Sequence, residues 1–248
     1  MKLTPPLARA TLLRRYKRFL ADLETPDGEL MTVHCPNTGA MLGCAEPGSE
    51  AWFSTSANPK RKYPHTLEVV ISANGRVGVN TARANQLVAE ALAAGSLAPF
   101  SERQLVRAEA VIPDEAGRFD FLLEESDGTP CWVEVKNMTL CDDTGRGSFP
   151  DAVSERALKH VNALVRRVSA GERAALVFCV QHTGVLRATL ADEIYPAYGA
   201  AVRAAAQAGV EVLAFGCRIE PDEIRIDAQL PVDLAVQRSA ARPGQSAP

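Results

Sequence analysis

The sequence has no paired-cysteine motif and no long apolar run. Its six cysteines are scattered without a Cys-x2-Cys pair, and a chain of 248 residues can bury a core without disulfide staples. No apolar stretch approaches the length that spans a bilayer. Residues 1–19 also contain no uninterrupted apolar segment of the kind found in signal peptides. We therefore expect a cytoplasmic protein with reduced thiols.

The sequence also lacks the signatures of nucleotide-dependent and small-molecule enzymes. It has no phosphate-binding loop, no dinucleotide-binding glycine motif and no nucleophile arrangement, which argues against an enzyme of sugar metabolism. The net charge of −3 argues against a uniformly basic surface. Residues 1–82 nevertheless hold ten Lys and Arg against seven Asp and Glu, whereas the remainder holds seventeen against twenty-three. This asymmetry suits a module that delivers a phosphate backbone to a metal-holding domain.

Turn signals divide the first eighty residues into short strands. Residues 25–28, 36–39 and 74–75 are rich in Pro, Asn, Asp and Gly, and the segments between them have strand-like patterns. The periodicity of residues 9–24 fits either a helix or a strand, and we interpret it as a strand because turns follow closely. The pattern predicts an OB-like barrel of five strands over residues 1–80.

Barrels of this type bind single-stranded nucleic acid through a basic groove with exposed aromatic side chains. The candidate nucleic-acid-binding residues of this region are Arg14, Arg15, Tyr16, Lys17, Arg18, Lys60, Arg61 and Lys62. For the basic run at 60–62, a solvated surface loop is an equal alternative. We expect Phe19 and Phe53 in the barrel core. Residues 37–39 form either a tight turn that supports the barrel or a contact with a ligand.

The rest of the chain predicts an α/β domain over residues 81–236. Helices are expected at 81–94 with Thr81 as N-cap, at 149–170 and at about 196–208, and strands at 105–112, 118–123, 131–135, 174–180 and 211–219. The continuous apolar run at 174–180 is typical of a strand that is buried on both faces. Residues 237–248 are polar and predict a disordered tail.

A predicted hairpin over residues 118–136 carries charges in strands that should be buried. Glu134 and Lys136 are two residues apart, so on a strand their side chains leave the same face. Asp120 lies in the middle of the partner strand and can face them across the ladder. Apolar residues flank each of these charges. The pattern therefore predicts that two carboxylates and one ammonium group converge.

This cluster suits phosphodiester hydrolysis. Asp120 and Glu134 are candidate catalytic residues and metal ligands, because their hard oxygen atoms suit Mg²⁺, with Mn²⁺ as the alternative ion. Lys136 would orient or deprotonate the attacking water, or neutralise charge on the phosphate. A cross-strand ion pair on a solvated sheet face would show the same residues. Glu109 in the preceding strand is a candidate third acid, although a surface carboxylate would look the same.

Two further groups of polar residues are candidates for this site. On the helix expected at 149–170, Arg156 and His160 share a face and Lys159 lies beside them. We interpret these three, together with Arg167 further along the helix, as a phosphate clamp; a solvated helix face is the alternative, chiefly for Arg167. Gln181 and His182 follow a buried strand, at the end where sites form in α/β sheets.

The Asp-x13-Glu-x-Lys spacing resembles the PD-(D/E)xK nuclease-like superfamily, and the surrounding sequence resembles the sugar fermentation stimulation protein A family. The resembling stretches are residues 14–20, 34–43, 60–66, 79–90, 120–140 and 149–160. The resemblance implies an OB-like N-terminal domain, a nuclease-like C-terminal domain and DNA binding with little sequence preference. It also implies a link to the regulation of sugar (maltose) metabolism.

Two functional hypotheses follow from the residues and the resemblance together. The first is a DNA-binding protein with a metal-dependent nuclease site at Asp120, Glu134 and Lys136. The second is a non-catalytic DNA-binding regulatory protein that retains a nuclease-like fold. The sequence leaves open whether the DNA is single-stranded, duplex or branched, and whether two copies form a homodimer.

Overall fold

The computed structural model describes residues 1–113 and 115–236. The tail expected at 237–248 lies outside the described residues. The N-terminal strands are β1 (Ala8–Tyr16), β2 (Leu20–Glu24), β3 (Leu30–His34), β4 (Glu50–Thr55), β5 (His65–Ser72) and β6 (Gly75–Gly78). Their order is β3-β2-β1-β4-β5-β6, and pairing of β3 with β5 through His34 and Thr66 closes a barrel of five strands. The OB-like barrel predicted from the sequence is confirmed.

Alternating apolar residues of these strands fill the barrel. Leu12, Leu23, Val33 and Leu67 are completely buried, and Phe53 joins the same core as predicted. The prediction for Phe19 was wrong. This residue lies in the turn between β1 and β2, where no barrel layer covers it, and its side chain is 48% exposed.

The second domain contains three helices and ten strands within the described residues. In chain order they are α1 (Ala82–Ala93), β7 (Gln104–Val111), β8 (Arg118–Glu124), β9 (Pro130–Met138), β10 (Leu140–Cys141), β11 (Arg146–Phe149), α2 (Glu155–Ser169), β12 (Arg173–Val180), β13 (Arg187–Leu190), α3 (Pro196–Gln207), β14 (Glu211–Ile219), β15 (Ile224–Leu230) and β16 (Val232–Asp233). The predicted order of helices and strands in an α/β domain is confirmed.

The main sheet of this domain has the order β15-β14-β12-β9-β8-β7. Strand β12 lies in its centre and runs parallel to both β9 and β14, which explains its continuous apolar sequence. Helix α1 packs on one face of the sheet, and α2 and α3 pack on the other. None of the helices described here is long and apolar enough to cross a membrane.

The start of α2 and the capping bond of α1 differ from the sequence prediction. Helix α2 begins at Glu155, several residues later than expected, because the Ser154 hydroxyl accepts a hydrogen bond from the Ala157 N–H and caps it. At α1, the side chain of Asn80 accepts from the Ala82 N–H at 3.1 Å, whereas the Thr81 hydroxyl donates to the Pro36 carbonyl at 2.8 Å. Thr81 therefore ties α1 to the barrel and does not cap the helix.

Four short strands and β15 were not predicted. Strands β10, β11, β13 and β16 contain two to four residues each and form a second small sheet. Segments of that length are too short to show a hydrophobic period. Their pairing depends on neighbours that are distant in the sequence, such as β11 with β13.

The barrel is joined to the α/β domain by backbone hydrogen bonds. The Gly78 N–H donates to the Gln181 carbonyl at 2.8 Å, and the Thr183 N–H donates to the Arg76 carbonyl at 3.0 Å. The N-terminal segment also crosses over, since the Leu3 N–H donates to the Asp222 carbonyl at 2.8 Å. These contacts hold the barrel against the segment after β12, and the N-terminal segment against the turn between β14 and β15.

Candidate active site

A cavity of about 420 Å³ lies between the barrel and the α/β domain. Strands β8 and β9 form its floor with Asp120, Glu134 and Lys136. The barrel contributes residues 37–39 and Arg18 as a wall. The remaining lining comes chiefly from the start of α1 and from residues 148–156. The structure therefore brings the three predicted catalytic residues together in one place.

Glu134 is the most deeply buried charged residue of the cavity, with 3% of its surface exposed. Its Oε1 atom contacts both Lys136 Nζ and, at 2.5 Å, His160 Nδ1. Burial by itself would raise the pKa of this carboxyl group, but the hydrogen bond from His160 and the charge of Lys136 outweigh burial and lower it. Glu134 is therefore an ionised carboxylate. Its second oxygen, Oε2, is buried and has no hydrogen-bond partner.

Asp120 faces the same cavity but titrates differently. Burial and the nearby negative charge of Glu134 raise its pKa to about 6. Two donors oppose this rise: the Val135 N–H at 2.7 Å from Oδ2 and the Asn85 side-chain amide at 2.6 Å from Oδ1. These bonds fix the carboxylate plane of Asp120 above the middle of β9.

The donor set suits a hard divalent cation. Two carboxylates crowd one another at the cavity floor, and the buried Glu134 Oε2 lacks a partner, so a cation there would satisfy both the charge and the orphaned oxygen. The described residues contain no cluster of three or more His, Cys, Asp or Glu side chains arranged to hold a metal. Mg²⁺ is commonly held by one or two carboxylates with several waters, so the residues present fit Mg²⁺ or Mn²⁺.

The wall of the cavity is a loop held by two arginines of the barrel. One terminal nitrogen of Arg15 donates to the carbonyls of Asn37 and Gly39, each at 2.8 Å. Arg18 donates to the carbonyl of Thr38 at 2.9 Å. The Asn37 side chain also accepts from the Gly39 N–H at 2.8 Å and forms the turn. Residues 37–39 thus form a tight turn and also line the cavity.

Gly39 is required by a close approach between the two domains. A Cβ atom at this position would overlap the carboxylate of Asp151. The same carboxylate accepts from the Met41 N–H at 3.3 Å. Asp151 falls within the helix expected at 149–170, but it precedes α2 and contacts the barrel loop.

The structure places the residues of the predicted phosphate clamp in different positions relative to the cavity. Arg156 lines the cavity. His160 contacts Glu134 and stands behind the cavity floor. Lys159 lies on the exposed surface of α2, outside the cavity.

The other candidate nucleic-acid-binding residues lie on the barrel surface and do not line the cavity. Arg14 pairs with Asp22 at 2.7 Å and lies over the ring of Tyr16, whose hydroxyl donates to Asp22 as well. Lys17 occupies the exposed turn after β1. In the basic loop, Arg61 donates to the Thr66 hydroxyl at 3.2 Å. Lys60 and Lys62 are exposed.

Among the further residues considered from the sequence, Glu109 is exposed on the edge strand β7 and does not line the cavity. Gln181 is fully buried, and its amide nitrogen donates to Asn137 Oδ1 at 2.7 Å. Asn137 lines the cavity, so Gln181 supports the site from behind.

Asn85 and Asn137 were missed by the sequence prediction. Asn85 holds Asp120, and Asn137 directly follows Lys136 on β9. A single asparagine on a helix resembles a solvated surface residue. The only sequence signal for Asn137 was its position next to the charged cluster.

Comparisons with known proteins agree along nearly the whole chain. A family model described as the sugar fermentation stimulation protein RE domain matches residues 82–223, and one described as the SfsA N-terminal OB domain matches residues 13–79. The chain is 49% identical to a sugar fermentation stimulation protein homolog of Thioalkalivibrio sulfidiphilus over 95% of this chain and 99% of that protein. It is 52% identical to a homolog from Hahella chejuensis, with 89% and 92% covered.

A solved structure of Pyrococcus furiosus SfsA in complex with Ca²⁺ has a similar fold. Its TM-score is 0.85 at 23% sequence identity, and the alignment covers 94% of this chain and 98% of that one. At this identity the likeness shows the fold, a barrel followed by an α/β domain.

Proposed function

The chain belongs to the sugar fermentation stimulation protein family, and from this membership we propose that it binds DNA and carries a divalent-metal-dependent phosphodiesterase site. The supporting observation is the convergence of Asp120, Glu134 and Lys136 in one cavity, where a buried carboxylate oxygen has no partner. Residues of these types are the ones that metal-dependent phosphodiester cleavage requires.

In this proposal Asp120 and Glu134 hold the ion. The related Pyrococcus protein was solved with Ca²⁺, an ion that also takes oxygen ligands. A bound Mg²⁺ or Mn²⁺ would stabilise the negative charge that develops on the phosphate oxygens. Asn85 and the Val135 N–H fix the orientation of the Asp120 carboxylate, since each donates a hydrogen bond to one of its two oxygens.

Lys136 and His160 complete the chemistry of the floor. Both contact Glu134 Oε1, so they keep that carboxylate ionised and leave Oε2 for the ion. The ammonium group of Lys136 also lines the cavity, where it would offset charge on a phosphate or position the attacking water. Arg18 and Arg156 line the same cavity from different domains and would contact the phosphates on either side.

The test is cleavage of labelled single-stranded, duplex and flapped DNA with Mg²⁺ or Mn²⁺. We expect the wild type to cut and Lys136→Ala to lose at least 100-fold in rate, on the order of an electrostatic catalytic group. Lys159→Ala is the matched control, because it removes the same charge from an exposed position outside the cavity. Cutting that is equal in both variants would remove Lys136 from the mechanism.

One observation favours a second function, a DNA-binding regulator that does not cut. The charge of Lys136 is already engaged by Glu134, as in a structural ion pair. In that case the wild type and Lys136→Ala would bind DNA equally and neither would cleave it. Either function would account for a link to sugar metabolism through DNA, since the chain lacks the motifs of a sugar-converting enzyme.

A further inference from the structure

The tip of the β1–β2 hairpin presents an exposed aromatic side chain beside the cavity. Phe19 directly follows Arg18, whose side chain lines the cavity. The carbonyl of Phe19 accepts from the Cys35 N–H at 2.8 Å, so its backbone is fixed to the barrel. Nearly half of the residue surface nevertheless remains in solvent.

The backbone of this tip is in an unfavourable conformation for its residues. Lys17 has a φ angle of 49° and Arg18 one of 64°, in the left-handed region that residues with side chains rarely adopt. The carbonyl of Arg18 is held by the Arg15 guanidinium at 2.9 Å, and the Arg18 side chain is held by Thr38. Strained turns that are fixed in this way occur preferentially at functional sites. Here the turn sends Arg18 into the cavity and leaves Phe19 outside it.

The other side of the cavity also carries an exposed apolar residue. Val153 lines the cavity from the loop before α2, and it is 63% exposed. Arg156 lies one turn further along the same segment. Single exposed apolar residues are common on protein surfaces. In this case, however, each of the two walls combines one apolar side chain with one arginine.

Alternation of apolar and cationic groups is how proteins bind unpaired nucleotides, since bases stack on the apolar side chains and phosphates contact the cations. The cavity between these walls has a volume of about 420 Å³. Glu134 lies almost completely buried at the floor. An unpaired strand can place a phosphate over the floor while its bases contact the apolar residues of the two walls.

On the basis of the proposed function, we propose that Phe19 stacks on an unpaired base next to the phosphate in the cavity. The substrate class is then nucleic acid with unpaired or splayed nucleotides, and continuous duplex is a poor substrate. Phe19 acts as a specificity-determining residue, with Val153 packing against the neighbouring base.

The test is the fluorescence of 2-aminopurine in a single-stranded oligonucleotide, measured in EDTA so that cleavage plays no part. Binding of the wild type should quench the fluorescence of this base, because stacking on an aromatic ring lowers its emission. Phe19→Ala should lose most of the quenching and bind roughly tenfold more weakly, and Phe19→Trp should retain both. Leu30→Ala is the matched control, since it removes an exposed apolar residue from the same barrel.

Competition with continuous duplex of equal length provides the second measurement. Loss of quenching in Phe19→Ala but not in Leu30→Ala, with preference for the single strand, supports the proposal whether or not the wild type cleaves DNA. Unchanged quenching in Phe19→Ala, or equal affinity for duplex and single strand, overturns the proposal even if Lys136-dependent cleavage is found. Thermal denaturation of each variant shows that it is folded.

Discussion

The floor and the wall of the cavity use the same kinds of charged residues in opposite ways. On the floor, Lys136 contacts the carboxylate of Glu134, and the two carboxylates influence one another. On the wall, Arg15 and Arg18 bind backbone carbonyls of residues 37–39. Charged groups on the floor therefore contact one another, whereas much of the charge on the wall maintains the shape of a loop.

Removal of the Glu134 carboxylate should have the largest effect on stability. Glu134→Ala leaves Lys136 and His160 buried without their shared acceptor. Breaking a buried ion pair by removing one partner typically costs about 3–5 kcal/mol, and we expect a loss of this size in urea-induced unfolding. The substitution does not alter the wall, so we expect the folded Glu134→Ala variant to bind DNA at low salt with unchanged affinity.

Glu115→Ala is the control for this variant. Glu115 pairs with Arg166 on the surface, where both side chains are partly exposed, and such pairs contribute less than about 1 kcal/mol. Similar losses for both variants would mean that the floor is no more dependent on charge pairing than the surface.

The next effect is a pH dependence that originates on the floor. Asp120 has its pKa raised to about 6 by burial and by Glu134, so between its ordinary range and pH 6 the folded protein binds this proton more tightly than the unfolded chain does. Stability should therefore fall as pH rises from about 4.5 to 6 and then level off, by up to about 2 kcal/mol. Unfolding free energies measured across this range without added metal test the prediction.

Asp120→Asn removes the titrating group and keeps the shape of the side chain. Its stability should lack the decline between pH 4.5 and 6. The lowered pKa of Glu134 acts in the opposite direction and at lower pH, because that group loses its pairing as it becomes protonated. A decline that persists in Asp120→Asn would assign the titration to another residue.

The floor could be predicted from the sequence because local rules determine it. Two-residue spacing on a strand placed Glu134 and Lys136 on one face, and a short turn placed Asp120 opposite. The wall depends on tertiary contacts that no local pattern contains. Arg15 and Arg18 look like any basic pair in the sequence, and their binding to residues 37–39 spans about twenty positions.

The dependence on tertiary contacts also explains why the predictions for residues at the edges of the site were wrong. The apolar character of Phe19 predicted burial, but the hairpin turn leaves it uncovered. Asp151 falls within the helix expected at 149–170, but it lies before α2 and its carboxylate packs against Gly39. Asn85 gave no signal because its role depends on Asp120, which lies 35 positions away. Sites formed between two domains are therefore visible in the sequence mainly through the strands that carry charges.

The smallest effect separates the wall from the basic loop on the barrel. Lys60 and Lys62 are exposed, so the variant with both changed to Ala should fold with unchanged stability. If they contact phosphates, the slope of log affinity against log salt should become shallower by roughly 0.7 per lost contact on single-stranded DNA.

Arg15→Ala should lose stability and keep the wild-type slope, because its guanidinium is engaged by carbonyls. Anisotropy titrations at several salt concentrations distinguish the two variants. An unchanged slope after loss of both lysines would make the loop a solvated surface, and a shallower slope in Arg15→Ala would show that the wall also contacts phosphate.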